Sequence, residues 1–485
     1  MTDSLTPSTA APVPPDDATT LKSGTVGTTH IVAMVIAAAA PIASAVALIP
    51  LGMLLGNGAG MPGALLLVSL ILAVFAVGFV KILPYITNTG AIYAYVSAGL
   101  GRPAGLASAY VLALVYVALG ASVVGGFSYF ATALMERFFD FNPPWLIVAI
   151  ACVVIGTGMA VAGVTLTARV LLVILTLELI GLLVVDIAIL VEQGFPAFTL
   201  DVFSPSTVFT GAVGVAVIYA FSMFLGFEAT AIYSEEAKAP RRTIPRATYI
   251  ILVLIGGLYT FSSWAMVAGT GVDELVPAVA EDPGTFVFRL SDHYVGTGWT
   301  DILSVLNALS LFAGVLAFQN AGARYLFALS RDNMAPRALG VTHPKTGTPS
   351  IGLISIAVVF VLLSVVYFAA DYSPLLDMST SLVGMGTIGL VGMLTVASIS
   401  IAVFFFRRKV IGVTTVGAPV LAAILLSLCT YAGIDNYGAL TGVPTWWVNN
   451  LPWILLVVAA AGLAFGFWVR AKYPERYELI GQTRI

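Results

Sequence analysis

The sequence predicts an all-α membrane protein of about twelve transmembrane helices, arranged as a five-plus-five inverted repeat in which helices 1 and 6 are broken. Three observations lead there. Of the 485 residues, 59% are hydrophobic and only 9% charged, against roughly 45–50% and 25% in soluble domains. Apolar stretches of about 20 residues, each long enough to cross a hydrocarbon core of roughly 30 Å as helix, recur along the chain. Two of these stretches, five spans apart, carry a helix breaker near their middle.

Residues 1–25 are rich in Pro, Ser, Thr and Asp. They lack the basic-then-apolar layout of a signal peptide and read as a disordered tail. Apolar spans then begin near His30, Gly63, Ala104, Pro144, Arg169, Val208, Ala247, Trp299, Ser350, Leu375, Val413 and Trp453. Residues 26–410 make a ten-helix core, residues 411–472 two additional helices, and residues 473–485 a second tail. With the amino terminus inside, every one of the 21 Lys and Arg residues except Arg137 and Arg289 falls in or beside an inner loop, while the outer loops carry Asp273, Glu274, Glu281, Asp282 and Asp292. The positive-inside rule therefore puts both termini in the cytoplasm of a multi-pass cell-membrane protein.

In the first span, Pro41 sits mid-helix among Ala43, Ser44 and Ala45. Proline removes a backbone bond and clashes with the preceding turn, so a break is expected here. In the fifth span Glu178 lies about 13 Å inside Arg169 at 1.5 Å per residue. A carboxylate at that depth costs roughly 2.5–3.5 kcal/mol on insertion scales. It either offers its charge to a cationic substrate or a proton, or is held between helices by hydrogen bonds. The sixth span contains Leu225, Gly226 and Phe227 followed by Glu228. Glycine interrupts the helix where a second buried acid stands, and the alternative for Glu228 is a permanent hydrogen bond to backbone. Single interruptions are usually kinks; two at corresponding positions point to a pseudo-two-fold repeat and a binding site between the halves. Such breaks leave amides that favour anions and carbonyls that favour cations, which suits a small zwitterion or amine.

Other classes find no support in the chain. No Gly-x-x-x-x-Gly-Lys-Ser/Thr run supplies an ATP site, no cluster of His, Cys or carboxylates suits an enzyme or a metal, and no basic patch suits nucleic acid. Cys152 and Cys429 lie in separate apolar spans and read as packing residues. His30, His293 and His343 fall near span ends or in loops and read as structural or solvated.

The run from Gly226 and Glu228 through Glu235, Glu236, Pro240, Arg241, Arg242, Pro245 and Arg246 resembles the sixth-span signature of the amino acid-polyamine-organocation (APC) superfamily. Gly90, Tyr93, Tyr95 and Gly101 resemble the loop before span 3 of that superfamily. Arg331, Asp332 and Asn333 resemble the end of its span 8, and His343, Pro344, Lys345, Thr348 and Pro349 its loop into span 9. The resemblance covers the chain from about residue 25. It implies secondary transport of amino acids by alternating access, proton-coupled as import or exchange, without a cofactor. The alternative is a putrescine-like amine importer, since the proline in span 1 is similar to that of the putrescine-importing branch; a channel or nutrient sensor on the same fold is a third class.

By the same resemblance, substrate is held by Ala43, Ser44 and Ala45 of span 1 and by Ser222, Phe224, Leu225 and Gly226 of span 6. Glu228 matches an acid of proton coupling, and Phe224 and Tyr93 are gate candidates, with Tyr93 and Tyr95 as interfacial anchors the competing reading. Two departures stand out. The family pattern at 43–45 is Gly-Ser-Gly, and alanine keeps a methyl group and fewer backbone angles there. Glu178 stands where many relatives carry a lysine. Sodium coupling is disfavoured because the usual hydroxyl pair on span 8 is missing; Ser310, Gln319 and Asn320 occupy that face. Partners are thus the substrate, a proton and the lipid bilayer, with monomer and homodimer both open.

Overall fold

The computed structural model describes residues 27–86, 92–163, 168–228, 230, 239–343, 346–442 and 445–480. Among these residues the secondary structure is entirely helical. Span 1 is two helices, α1 (Thr28–Ala39) and α2 (Pro41–Gly52), followed by α3 (Met61–Ile82), the short α4 (Ile92–Leu100) and the long α5 (Arg102–Phe139). Next come α6 (Trp145–Val161), α7 (Ala168–Gln193), α8 (Val213–Ser222), α9 (Pro240–Thr270) and α10 (Thr297–Arg331). The last four are α11 (Ser350–Ala369), α12 (Thr380–Arg407), α13 (Ala418–Asp435) and α14 (Leu451–Lys472).

Each of the twelve expected apolar segments carries a helix. Among the described residues nine helices are long and apolar enough to cross a membrane. The difference has three sources. The break in span 1 leaves α1 and α2 with 12 residues each, α6 and α8 are short, and α2 runs on through a widened π turn and a short 3₁₀ turn into α3, so that Pro41–Ile82 passes as one length. At 1.5 Å per residue that run would span about 63 Å, twice a hydrocarbon core. Gly56 (φ −107, ψ −108) and Gly58 (φ 59) leave helical geometry and divide it.

The helices sort by burial. α5, pressed against α10, α12 and α14, is covered along most of its length, whereas α13 and α14 present Ile424, Leu428, Leu456 and Val457 outward, each more than half exposed. A soluble protein exposes no such continuous apolar surface. The 411–472 pair thus stands at the periphery of the bundle. α4, read from sequence as part of a loop, is helical and packs between α5 and α12. Helices Leu275–Glu281 and Phe286–Tyr294 in the connection before α10 also escaped the sequence patterning, because short amphipathic turns lack the length that hydropathy detects.

The turn after α2 is joined to the start of α8. The Gly56 carbonyl accepts the Ala212 N–H at 3.0 Å, and Asn57 Nδ2 donates to the Val208 carbonyl at 3.0 Å. No side chain fits at Gly211 (φ 64), where a Cβ would meet the Gly56 oxygen at 2.5 Å. The two interrupted spans are therefore fastened to each other at one end.

Span 1 breaks one residue before its proline. Ala40 is left-handed (φ 46, ψ 71), a conformation costing an L-residue roughly 1–2 kcal/mol, and Pro41 starts the new helix where its missing N–H costs nothing. Because glycine loses roughly 0.5–1 kcal/mol more entropy on folding, Ala40→Gly should still be neutral to slightly stabilising. Its melting temperature in detergent should rise by about one or two degrees; a fall of several degrees would mean that Ala40 is not held in that conformation.

Candidate functional site

The two breaks meet at one cavity. Its volume is about 60 Å³, and it is lined by Ala39, Ala40, Ala43, Ser44, Ala47 and Leu48 of span 1 and by Ser222 and Leu225 of span 6. Leu119, Ser122, Val123 and Gly126 of α5, Leu311, Gly314 and Phe318 of α10, and Ser379 and Val383 complete it. Among the described residues the lining holds four serines and no ionisable side chain.

Span 1 supplies the amino end of α2. The Ser44 amide bonds back to the Ala40 carbonyl at 2.9 Å, and the Ser44 hydroxyl donates to the Ala39 carbonyl at 2.8 Å, across the break. A helix leaves its first amides without intrahelical acceptors. Here Pro41 has none to offer and the Ile42 N–H faces the Glu178 carboxylate. Ala43 is the next amide in that first turn, and Ala43 lines the cavity. Residues 43–45 are helical, so the irregular backbone lies at Ala40 and not within the Ala-Ser-Ala run itself.

Span 6 supplies the carboxyl end of α8. Beyond Ser222 the chain tightens to i→i+3 bonds, Phe224 N–H to Phe221 carbonyl at 3.0 Å and Leu225 N–H to Ser222 carbonyl at 3.3 Å. It then reverses hand at Gly226 (φ 97). The Ser222 hydroxyl, bonded to the Ile218 carbonyl at 2.8 Å and to Thr387 Oγ1 at 2.7 Å, ties this end to α12. Across the cavity the Ser122 hydroxyl donates to the Ser379 carbonyl at 3.0 Å.

The remaining expected residues stand behind this lining. Glu228 is 2% exposed. It accepts the Gly226 N–H at 3.0 Å and the Tyr116 hydroxyl at 2.8 Å, and its carboxylate therefore braces the break in span 6 against α5. Tyr116 stacks on Tyr325 of α10 with centroids 5.4 Å apart. Phe224 is buried edge-on against Tyr259, 6.3 Å away, and Ala45 is fully buried. Tyr93 donates to the Asp332 carboxylate at 2.8 Å, joining α4 to the end of α10; Tyr95 is enclosed against Phe79.

Glu178 stands behind the break in span 1, 3% exposed, beside Ser310 of α10 and Tyr259 of α9. The Ser310 hydroxyl faces the Glu178 carboxylate and the Tyr259 hydroxyl faces Ser44, neither contact reaching full hydrogen-bond geometry. Gln319 and Asn320 do not join them: Gln319 bonds to Thr157 and to the Leu353 carbonyl, and Asn320 to the Leu316 carbonyl. A third buried carboxylate, Asp186, two turns along α7 from Glu178, accepts the Ser262 hydroxyl at 2.5 Å. It was missed in the sequence, although a lone acid inside the run Leu182 to Leu190 was a visible signal. The α5, α10 and α12 linings were also missed, because serines and glycines on an apolar helix look the same whether they face a cavity or a neighbour.

The residues 231–238, which carry Glu235 and Glu236 of the sixth-span motif, lie outside the described residues, as do Gly90, Pro344 and Lys345.

An all-helical membrane bundle that brings the ends of two interrupted helices to one cavity has the architecture of a secondary transporter. Comparison with known proteins agrees. The family model described as amino acid permease matches residues 27–467, and the chain belongs to that family, within the APC superfamily. It is 24% identical over 460 residues to the branched-chain amino acid permease BcaP of Bacillus subtilis, covering 88% of this chain and 90% of the relative. The methylthioribose transporter of the same organism is 25% identical over 448 residues, 88% of each chain. Cationic amino acid transporter 5 of Arabidopsis thaliana is 26% identical over 264 residues, 53% of this chain and 43% of the relative. The protein is an amino acid transporter of the membrane.

Proposed function

We propose that the protein imports or exchanges a zwitterionic amino acid with an apolar side chain, coupled to protons, across the cell membrane with both termini cytoplasmic. One observation carries the substrate class: the cavity has no ionisable side chain among the described residues, yet two helix ends of opposite polarity point at it. The amino end of α2 suits a carboxylate and the carboxyl end of α8 an ammonium. A diamine would need a carboxylate within the lining, and Glu178 and Glu228 both stand behind it. Leu48, Leu119, Val123, Leu311 and Phe318 leave an apolar wall for an aliphatic side chain. The branched-chain permease among the relatives supports the same reading.

A cavity of about 60 Å³ is far below the roughly 300 Å³ at which small-molecule pockets begin. The reading therefore includes a conformational change that opens the cavity, with spans 1–5 and 6–10 moving as inverted repeats and the Tyr93–Asp332 link parting at the inner side. The buried acids Glu228 and Glu178, each tied to a helix break, are the proton-coupling candidates.

Uptake of tritiated L-leucine, L-lysine and putrescine into proteoliposomes, with and without an inward proton gradient, tests the proposal. Leucine should accumulate only with the gradient. Uptake of putrescine or lysine in its place would overturn the substrate class. In Glu178→Gln, gradient-driven uptake should fall at least tenfold while counterflow persists. Unchanged pH dependence together with unchanged affinity would remove Glu178 from the coupling.

A further inference from the structure

A second cavity, about 420 Å³, lies where the carboxyl end of α5 meets the amino end of α10, roofed by the helix Phe286–Tyr294. It is large enough for a whole amino acid. Arg137 and Arg289 both line it, and they are the two basic residues that the charge pattern leaves on the outer side. Each is already engaged at the rim: Arg137 Nε bonds Asp301 at 2.6 Å, and Arg289 lies 3.6 Å from Glu281. These two are the ion pairs found among the described residues.

The floor is a built polar site. Asn307, about 15 Å along α10 from Thr297, is fully buried and lines the cavity, and neither its Nδ2 nor its Oδ1 has a hydrogen-bonding partner. Asp292 Oδ1, in the same lining, is likewise unpartnered. A buried amide with both ends unmet is a costly arrangement that a bound polar group relieves. The walls, Phe130 and Phe288, stand edge to face at 6.1 Å.

We propose that this outer cavity is a second amino acid site, in which Asn307 receives the zwitterion, the guanidinium groups of Arg137 and Arg289 face its carboxylate, Asp292 faces its ammonium, and the phenyl rings hold an apolar side chain. This inference rests on the transport reading above and deepens it. Asn307 lies one turn from Leu311, and Phe130 one turn from Gly126, where Leu311 and Gly126 line the central cavity. The outer site is therefore a staging post about 6 Å along these helices from the central one.

Equilibrium binding of tritiated L-leucine and L-lysine to the purified full-length protein in nanodiscs, with uptake in proteoliposomes, provides the test. Wild type should bind two molecules per chain, Asn307→Leu one, and Ser222→Phe, which fills the central cavity, one. Asn307→Leu removes an unpaired buried amide and replaces it with an apolar side chain of similar size, so folding should survive. Its KM for uptake should rise about tenfold, the loss of roughly one charge-assisted contact, with maximal rate within twofold. Arg289→Gln at the rim should raise KM in the same direction. A single site that Ser222→Phe abolishes and Asn307→Leu leaves unaltered, with KM unchanged in both Asn307→Leu and Arg289→Gln, would overturn the outer site and leave the transport reading standing. Absence of binding of either amino acid to wild type would overturn both.

Discussion

Ser222→Phe protein should fold but take up no amino acid above background. The cavity is only about 60 Å³, and a phenyl group added at Ser222 fills it. Overpacking of that kind costs about 1–3 kcal/mol, and the lost bond to Thr387 adds about 0.5–1.5 kcal/mol. A large membrane bundle tolerates that sum, so the loss is of transport rather than of structure. Ser222→Ala, which removes the same bond without filling the space, should keep most of its uptake. Retention of uptake by Ser222→Phe, in protein that elutes and melts as wild type does, would place the substrate elsewhere.

Substitutions at Glu228 should split by chemistry. Alanine leaves the Gly226 amide and the Tyr116 hydroxyl without their shared acceptor. At about 1–3 kcal/mol for the orphaned Gly226 amide and about 0.5–1.5 kcal/mol for the lost Tyr116 bond, Glu228→Ala should lose about 1.5–4.5 kcal/mol and fall several degrees in melting temperature. Glutamine keeps one carbonyl oxygen for Gly226, and the Tyr116 hydroxyl is able to turn and accept from its amide. Glu228→Gln should therefore fold. If the carboxyl group carries the coupled proton, this variant loses gradient-driven uptake by two orders of magnitude or more and keeps substrate exchange. Normal gradient-driven uptake by Glu228→Gln would reduce Glu228 to a brace for the broken helix.

The contrast between Glu228 and Glu178 shows how far the sequence could be read. Both acids were visible as charges inside apolar spans, because hydrocarbon makes any such charge expensive. Neither could be placed as lining or as support. Glu178 sits behind α2 because the amino end of that helix attracts its carboxylate to the Ile42 amide, a contact between residues 136 positions apart. Ser122, Gly126, Gly314 and Ser379 were equally out of reach: small residues pack helices closely and line cavities with the same letters. Asn307 shows the limit most clearly. Within α10 it reads as one polar residue among apolar ones, and only the opposing α5 and the helix Phe286–Tyr294 make a cavity around it.

The amino-acid sequence by itself determined the membrane class, the twelve apolar segments, the two interruptions at Pro41 and Gly226 and the burial of two acids. These follow from the cost of exposing backbone and charge to lipid, which acts on each segment locally. The tertiary structure decided that Ala43, Ser44, Ser222 and Leu225 share one cavity, without charge among the described residues, that Glu228 and Glu178 stand behind it, and that Arg137, Arg289 and Asn307 meet in another. Those outcomes depend on which faces of separate helices pack together, and packing is a property of pairs of helices that no single segment encodes.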